Sequence, residues 1–174
     1  HQQVQADAMM PPEKISPYRM LAARAKYLAS DRPETHYAAE EACRWMAAPT
    51  ELAMAGLKRI GRYVEGHRRL VFKYNWQTGC HIEVYSDTDW AGCPRTRKST
   101  SGGGVLLGHH LIKSWSTTQG PIALSSGEAE FYGVVKAGGA GLGYQAMPKD
   151  LGIEAGLRVW TDSTATLGLS LIHI

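Results

Sequence analysis

The stretch HIEVYSDTDWAG, residues 81–92, alternates in the manner of a strand with one buried face. One face would carry Ile82, Val84, Ser86, Thr88 and Trp90, and the other Glu83, Tyr85, Asp87 and Asp89. Aspartate is a poor strand former, so two aspartates at the end of the strand are unfavourable there. We therefore expect these carboxylates to serve a purpose other than strand formation.

The segments after this strand predict a mixed sheet with a helix packed on it. Residues 103–107 and 111–116 are β-prone and flank a short Gly-His-His loop, which predicts a hairpin. Ser125 and Ser126 are candidate N-caps of a helix, and residues 157–161 predict a further strand. The order β-β-β-α-β indicates an α/β fold, more narrowly an α+β mixed sheet. In this order the first and fourth strands can lie side by side with the helix across them.

The first part of the chain has helix patterns in place of strand patterns. Residues 1–15 are polar around a Pro-Pro pair and predict a disordered lead-in. Residues 16–66 contain three amphipathic helix patterns, whose starts are marked by Ser16-Pro17, Asp31 and Pro49-Thr50. A short β-prone run at residues 70–74 comes next, and residues 69–168 form the second predicted domain.

Composition excludes several classes of protein. The 174 residues are 44% hydrophobic and 20% charged, no apolar run reaches membrane-spanning length, and the N-terminus has no signal-peptide core. The three cysteines are far apart, which argues against a disulfide framework or zinc ribbon and suits a reducing compartment. We therefore expect a protein that is neither membrane-bound nor secreted. Basic clusters at residues 58–73 and 95–98 can neutralise phosphates, although solvated surface charge explains them equally well.

Three carboxylates, each from a separate predicted element, are the candidate residues for a metal-binding catalytic site. Asp87 lies on a strand, Glu130 in the first turns of a helix, and Asp162 at the end of the next strand. Such a cluster is costly unless cations compensate it, and oxygen-only ligands favour Mg²⁺, with Mn²⁺ as an alternative. Two such ions can hydrolyse a phosphodiester. Taken singly, Asp89 and Asp162 could be turn or cap residues and Glu128 a favourable charge at a helix N-terminus.

Several segments together resemble a known family. The motifs YSDTDWAG, TRKSTSGG, SWSTTQGPIALSSGEAEFYG and VWTDSTA resemble the ribonuclease H domain of copia-type LTR-retrotransposon Pol polyproteins. The helical part, including LKRIGRYVEG, resembles the end of the reverse transcriptase in the same polyproteins. The resemblance covers roughly residues 17–168.

This resemblance implies a partial ribonuclease H fold that hydrolyses the RNA strand of RNA–DNA hybrids. Asp87, Glu130 and Asp162 match the family's catalytic, metal-binding carboxylates. Ser126 and Gly127 match positions near the RNA 2′-hydroxyls, although the family usually has Thr at position 127. Arg95, Arg97 and Lys98 would contact phosphates. The implied partners are the hybrid and the remainder of the Pol polyprotein, in a cytoplasmic virus-like particle or the nucleus.

Departures from the family leave alternatives open. The family's fourth carboxylate lies further downstream, so we expect a truncated domain, with residues 169–174 (LSLIHI) as a non-native tail. The glycine-rich residues 136–152 replace a firmer helix, and we expect Trp115 and Trp160 to be core residues. An inactive nucleic-acid-binding remnant of a decayed element is the main alternative. A different nuclease of the same fold, such as an integrase or resolvase, is another.

Overall fold

The computed structural model describes residues 8–77 and 81–171, with side chains as far as residue 168. The chain divides into two compact units whose boundary falls between Phe72 and Lys73. The first unit is helical and the second is built on a sheet. Among the described residues, no helix combines the length and hydrophobicity that crossing a membrane requires.

Three α-helices form the helical unit. They are α1 (Pro12–Leu28), α2 (His36–Arg44) and α3 (Glu51–Gly66), with a 3-10 turn at Pro33–Thr35 before α2. Their core is rich in alanine and centres on Tyr18, whose hydroxyl donates a 2.6 Å hydrogen bond to the Ala42 carbonyl. Burial raises the pKa of Tyr18 to about 12, with Cys43 adding to the effect. The small side chains allow the helices to pack closely around Tyr18.

The start of α1 corrects the prediction at Ser16-Pro17. The helix begins at Pro12, and Pro17 lies inside it. The reason is tertiary, because Met10 is buried and its N–H bonds to the Pro49 carbonyl at 3.0 Å, which fixes the chain before α1. Residues 8–15 are consequently ordered, in contrast to the predicted disordered lead-in. Residues 1–7 of that lead-in lie outside the described residues.

The other two predicted helix starts have different outcomes. Asp31 lies in a turn, and Arg32 precedes the 3-10 turn without a side-chain cap, so the prediction that Asp31 marks a helix start is wrong. Thr50, in contrast, is the N-cap of α3, and its hydroxyl accepts a hydrogen bond from the Ala53 N–H at 3.1 Å. Gly66 ends α3, as predicted.

The sheet unit has the predicted element order and mixed sheet. Its elements are β1 (His81–Asp89), β2 (Thr100–Leu107), β3 (His110–Thr118), α4 (Ser126–Asp150), β4 (Gly156–Trp160) and α5 (Thr164–Leu171). The strand order is β3-β2-β1-β4, with β1 antiparallel to β2 and parallel to β4. The α+β fold class is therefore confirmed. The β-prone run at residues 70–74 is not a strand in the described structure.

Burial along β1 follows the predicted alternation. Ile82, Val84, Ser86 and Thr88 are buried, while Tyr85 and Asp87 are exposed. Two tryptophans differ from expectation, because Trp90 lies beyond the strand and Trp160 is 47% exposed, stacked on Tyr85. Trp115, as predicted, packs against the core that Val84 and Val105 share with α4.

Small residues let α4 lie close to the sheet. Its buried positions recur every four residues, at Ala129, Gly133, Ala137 and Gly141. A Cβ on Gly141 would lie 2.6 Å from Leu157 Cδ1 and 3.0 Å from Val84 Cγ2. The glycine-rich segment is a continuous helix that passes through Pro148 and ends at Asp150. This close packing determines where the first turns of α4, including Glu130, meet the sheet.

Candidate metal centre

The structure brings Asp87, Glu130 and Asp162 together. Each residue offers one carboxylate oxygen, and these three oxygens all lie within 4.8 Å of one another. Asp87 and Asp162 are exposed and Glu130 is half-buried. Three acidic groups far apart in sequence therefore form one cluster at the edge of the sheet unit.

Parallel pairing of β1 and β4 explains why the two aspartates meet. Tyr85 on β1 pairs with Trp160 on β4, and each aspartate lies two residues further along its own strand direction. Parallel strands end at the same edge of a sheet, so residues at equal offsets from a paired position become neighbours. The register between the strands thus determines this half of the cluster.

The beginning of α4 supplies Glu130. Ser125 is the N-cap, and its hydroxyl accepts a 3.1 Å hydrogen bond from the Glu128 N–H. Glu128 in turn accepts a 2.7 Å bond from the Leu124 N–H and a 3.1 Å bond from the Tyr132 hydroxyl. Glu128 is therefore the capping residue of the two glutamates. Glu130 Oε2 is buried and has no hydrogen-bond partner within the described structure.

Asp162 does not act as a helix cap. Ser163 takes that position, and its hydroxyl accepts a 3.3 Å hydrogen bond from the Thr166 N–H at the start of α5. The carboxylate of Asp162 instead belongs to the cluster. The cap interpretation of this aspartate is therefore wrong, because its neighbour Ser163 is the residue that caps the helix.

The electrostatics of the cluster favour a bound cation. Burial raises the pKa of Glu130, and the nearby Asp87 and Asp162 carboxylates raise it further. A hydrogen bond with the Thr88 backbone acts in the opposite direction. The Thr88 N–H also donates to Asp87 Oδ1 at 2.8 Å. A buried carboxylate oxygen without a partner and a donor set made only of oxygens fit Mg²⁺ or Mn²⁺.

The predicted phosphate-contacting cations lie in the loop between β1 and β2. Arg95 and Arg97 are exposed and Lys98 is half-buried. The loop has defined internal hydrogen bonds, because the Arg97 N–H donates to the Cys93 carbonyl at 2.8 Å and the Cys93 N–H donates to the Lys98 carbonyl at 3.2 Å. Buried Cys93 thus anchors a loop in which Arg95 and Arg97 are exposed, directly after the strand that carries Asp87.

Ser126 and Gly127 begin α4. Ser126 is exposed, and both residues precede Glu130 by one helical turn, so they share its face of the helix. A Cβ at position 127 would lie 3.2 Å from the Ala165 Cβ of α5. Glycine at this position therefore allows α5 to approach the N-terminus of α4.

An aromatic pair beside the cluster was missed by the sequence reasoning. Tyr85 and Trp160 stack with ring centroids 6.3 Å apart and an interplanar angle of 15°. Together with Asp87 and Asp162 they line a cavity of about 430 Å³. The alternation of strand β1 could have predicted the position of Tyr85, because it places Tyr85 on the same face as Asp87.

The amino-acid sequence of this chain is similar to sequences of known proteins. The chain is 39% identical over 120 residues to the retrovirus-related Pol polyprotein from transposon RE1 of Arabidopsis thaliana. The chain is thus similar to retrotransposon Pol polyproteins. The aligned part is 67% of this chain and 8% of the RE1 polyprotein.

Two further relatives are shorter proteins. An uncharacterised mitochondrial protein of Arabidopsis thaliana is 36% identical over 120 residues, which are 67% of this chain and 48% of that protein. The secreted RxLR effector protein 161 of Plasmopara viticola is 29% identical over 125 residues, which are 71% of this chain and 88% of the effector. The chain thus spans about half of the mitochondrial relative and much less of the polyprotein. No protein-family model matches the chain, and no solved structure matches it significantly.

Proposed function

We propose that this chain is the ribonuclease H part of a copia-type retrotransposon Pol protein and hydrolyses the RNA strand of RNA–DNA hybrids. The observation that carries the proposal is the convergence of Asp87, Glu130 and Asp162 within 4.8 Å. The relationship to Pol polyproteins and the resemblance of the motifs around these residues support it. We also propose that residues 16–66 are the last helices of the reverse transcriptase, and that the protein works in a cytoplasmic virus-like particle or the nucleus.

Asp87, Glu130 and Asp162 would hold two Mg²⁺ ions, or Mn²⁺ in their place. When bound, such ions supply an activated water and stabilise the leaving oxygen of a phosphodiester. The buried Oε2 of Glu130 is a ligand with no competing hydrogen bond in the described structure. The Thr88 N–H limits the rotation of the Asp87 carboxylate by bonding to its Oδ1. The chain's contribution is thus to hold three charges in one place before the substrate arrives.

Recognition of the hybrid would come from two neighbouring segments. Ser126 and Gly127 lie at the N-terminus of α4, where free N–H groups and the helix dipole favour an anionic backbone. The small polar side chain of Ser126 can contact an RNA 2′-hydroxyl, which distinguishes RNA from DNA. Arg95, Arg97 and Lys98 would bind phosphates and fix the position of the duplex without reading its sequence.

Asp87→Asn tests the proposal most directly. This substitution keeps the shape of the side chain and removes one of the charges that hold the cations. We expect loss of hybrid cleavage by at least about a hundredfold, consistent with the loss of a group that acts on the transition state. The measurement is cleavage of a labelled RNA–DNA duplex in Mg²⁺, with circular dichroism to confirm the fold.

Asp89→Asn is the matched control. Asp89 is an exposed aspartate two residues along the same strand and is not part of the cluster. We expect this variant to cleave as the wild type does. Undiminished cleavage by Asp87→Asn would contradict the proposal. Binding of the hybrid by the wild type without cleavage would instead favour a nucleic-acid-binding remnant.

A further inference from the structure

Gln119 is a buried polar residue directly after β3, and it connects three parts of the sheet unit. Its side-chain Nε2 donates a 2.9 Å hydrogen bond to Ser101 Oγ on β2 and a 2.8 Å bond to the Ala129 carbonyl on α4. Its backbone N–H donates a 2.8 Å bond to the Ser99 carbonyl. Gln119 is only 8% exposed, so these contacts are shielded from water.

Both side-chain bonds lead directly to the metal centre. Ala129 immediately precedes Glu130, and Ala129 itself is fully buried. Ser101 pairs with Thr88 across β1 and β2, and Thr88 immediately follows Asp87. A single NH₂ group therefore links the helix that carries Glu130 to the strand next to the one that carries Asp87.

The NH₂ group of the amide is the part that this position uses, whereas Oε1 of the same amide is buried and has no hydrogen-bond partner in the described structure. Both protons of the NH₂ group are used, one on the Ser101 hydroxyl oxygen and one on the Ala129 carbonyl. A carboxylate at the same place would have no proton to donate and would be repelled by the carbonyl. A methionine would keep the length of the side chain and lose both bonds.

We propose that Gln119 is a positioning residue, which fixes the first turns of α4 on the sheet and so places Glu130 relative to Asp87. The inference rests on the metal centre of the proposed function. Such centres tolerate displacements of only about 0.5 Å, and loss of a supporting hydrogen bond typically weakens metal binding by about 10–100-fold. Gln119 contacts neighbours of the ligands and not the ligands themselves. We therefore expect metal binding to weaken by about tenfold, the lower end of this range.

Gln119→Met tests the proposal with two readouts on the whole chain. Titration calorimetry should show Mg²⁺ or Mn²⁺ binding weakened about tenfold. Amide hydrogen exchange in metal-free protein should be faster at residues 129–133 than in the wild type. Val105→Ala, which truncates a fully buried core residue on β2, is the matched control for general destabilisation. It should leave the metal affinity within about twofold, which is close to the precision expected for independent sites.

The outcomes separate this proposal from the nuclease proposal. If the wild type binds Mg²⁺ and cleaves no hybrid, the nuclease proposal fails and the role of Gln119 is supported by weaker binding in Gln119→Met. If the wild type binds no divalent cation, hydrogen exchange alone decides, and unchanged exchange at residues 129–133 overturns the inference. Wild-type metal affinity in Gln119→Met also overturns it. Should that variant not fold, Ser101→Ala removes only the β2 acceptor, and wild-type affinity and exchange in it would equally overturn the role.

Discussion

Glu128 and Glu130 are two residues apart, and their different surroundings give the two carboxylates different roles. Glu128 accepts hydrogen bonds from the Leu124 N–H and the Tyr132 hydroxyl and completes the cap of α4. Glu130 has a buried Oε2 that finds no hydrogen-bond partner among the described residues, and it has two carboxylates nearby. The same chemical group is therefore stabilising at one position and unfavourable, without a cation, at the other.

Glu130→Gln should stabilise the metal-free protein at neutral pH. The pKa of Glu130 is raised in the folded state. Above the unfolded pKa of about 4.3, the ionised carboxylate therefore lowers the stability of the folded protein. The variant removes this charge, and its melting temperature at pH 7 in a chelator should exceed that of the wild type. The difference should shrink towards pH 4, where Glu130 is protonated. Thermal unfolding followed by circular dichroism between pH 4 and pH 8 measures both effects.

Divalent cations should reverse this order. A cation at a hundred times its dissociation constant stabilises the wild type by about 2.7 kcal/mol, and Glu130→Gln should gain less because it has lost a ligand. Glu128→Gln is the control, since weakening the cap should lower stability by less than about 1 kcal/mol with or without cations. A Glu130→Gln variant that is less stable than the wild type at pH 7 in chelator would disprove the assigned electrostatics.

At the scale of elements, α4 explains why a glycine-rich sequence forms a 25-residue helix. Glycine in a helix costs about 1 kcal/mol relative to alanine. Gly141 offsets this cost by allowing close contact with Val84 and Leu157, whereas Gly138, Gly139 and Gly143 have open space where a Cβ would lie. The glycines of α4 therefore fall into two classes that differ only in what they face.

Alanine substitutions should separate these two classes. Gly138→Ala, Gly139→Ala and Gly143→Ala should each raise the free energy of unfolding by up to about 1 kcal/mol. Gly141→Ala should lower it by about 1–3 kcal/mol, because the new methyl group would overlap Leu157 Cδ1 and crowd the buried Val84 side chain. Urea denaturation measures all four. Equal effects at positions 139 and 141 would show that α4 does not pack on the sheet as described.

At the scale of the whole molecule, the two compact units are joined by an exposed segment. Residues 68–76 are exposed and lack regular structure, and the unit boundary lies within them, after Phe72. The segment also contains Arg68, Arg69 and Lys73, which are substrates for trypsin. The Asp87–Glu130–Asp162 cluster belongs entirely to the second unit.

Limited trypsin digestion should therefore cut first at Arg68, Arg69 or Lys73. Exposed segments without regular secondary structure are preferred sites of proteolysis, so we expect two fragments that correspond to the two units. Mass spectrometry identifies the cut sites. Replacing all three basic residues with Gln should abolish the early cuts. A first cut after Lys136 would instead indicate that α4 opens more easily than the connecting segment.

Much of the local structure could be predicted from the sequence. The alternation in β1, the hairpin of β2 and β3 and the helix after Ser125 were predicted because they depend on side-chain period and capping within a few residues. The sequence did not predict that α1 begins at Pro12 or that residues 70–74 lack regular structure. These features depend on the burial of Met10 against the Pro49 segment and on partner strands, which local pattern does not encode.

The sequence by itself determined the three carboxylates and the types of element that carry them, because each element follows from short-range propensity. Only the tertiary structure decided that Asp162 lies beside Asp87 and that Trp160 is exposed and stacks on Tyr85. It also decided that Glu128 caps the helix, whereas Glu130 has a buried oxygen with no partner in the part of the chain that is described. Strand register and the depth at which a helix packs are set by contacts between residues far apart in the chain. Those contacts become favourable only when the whole core forms.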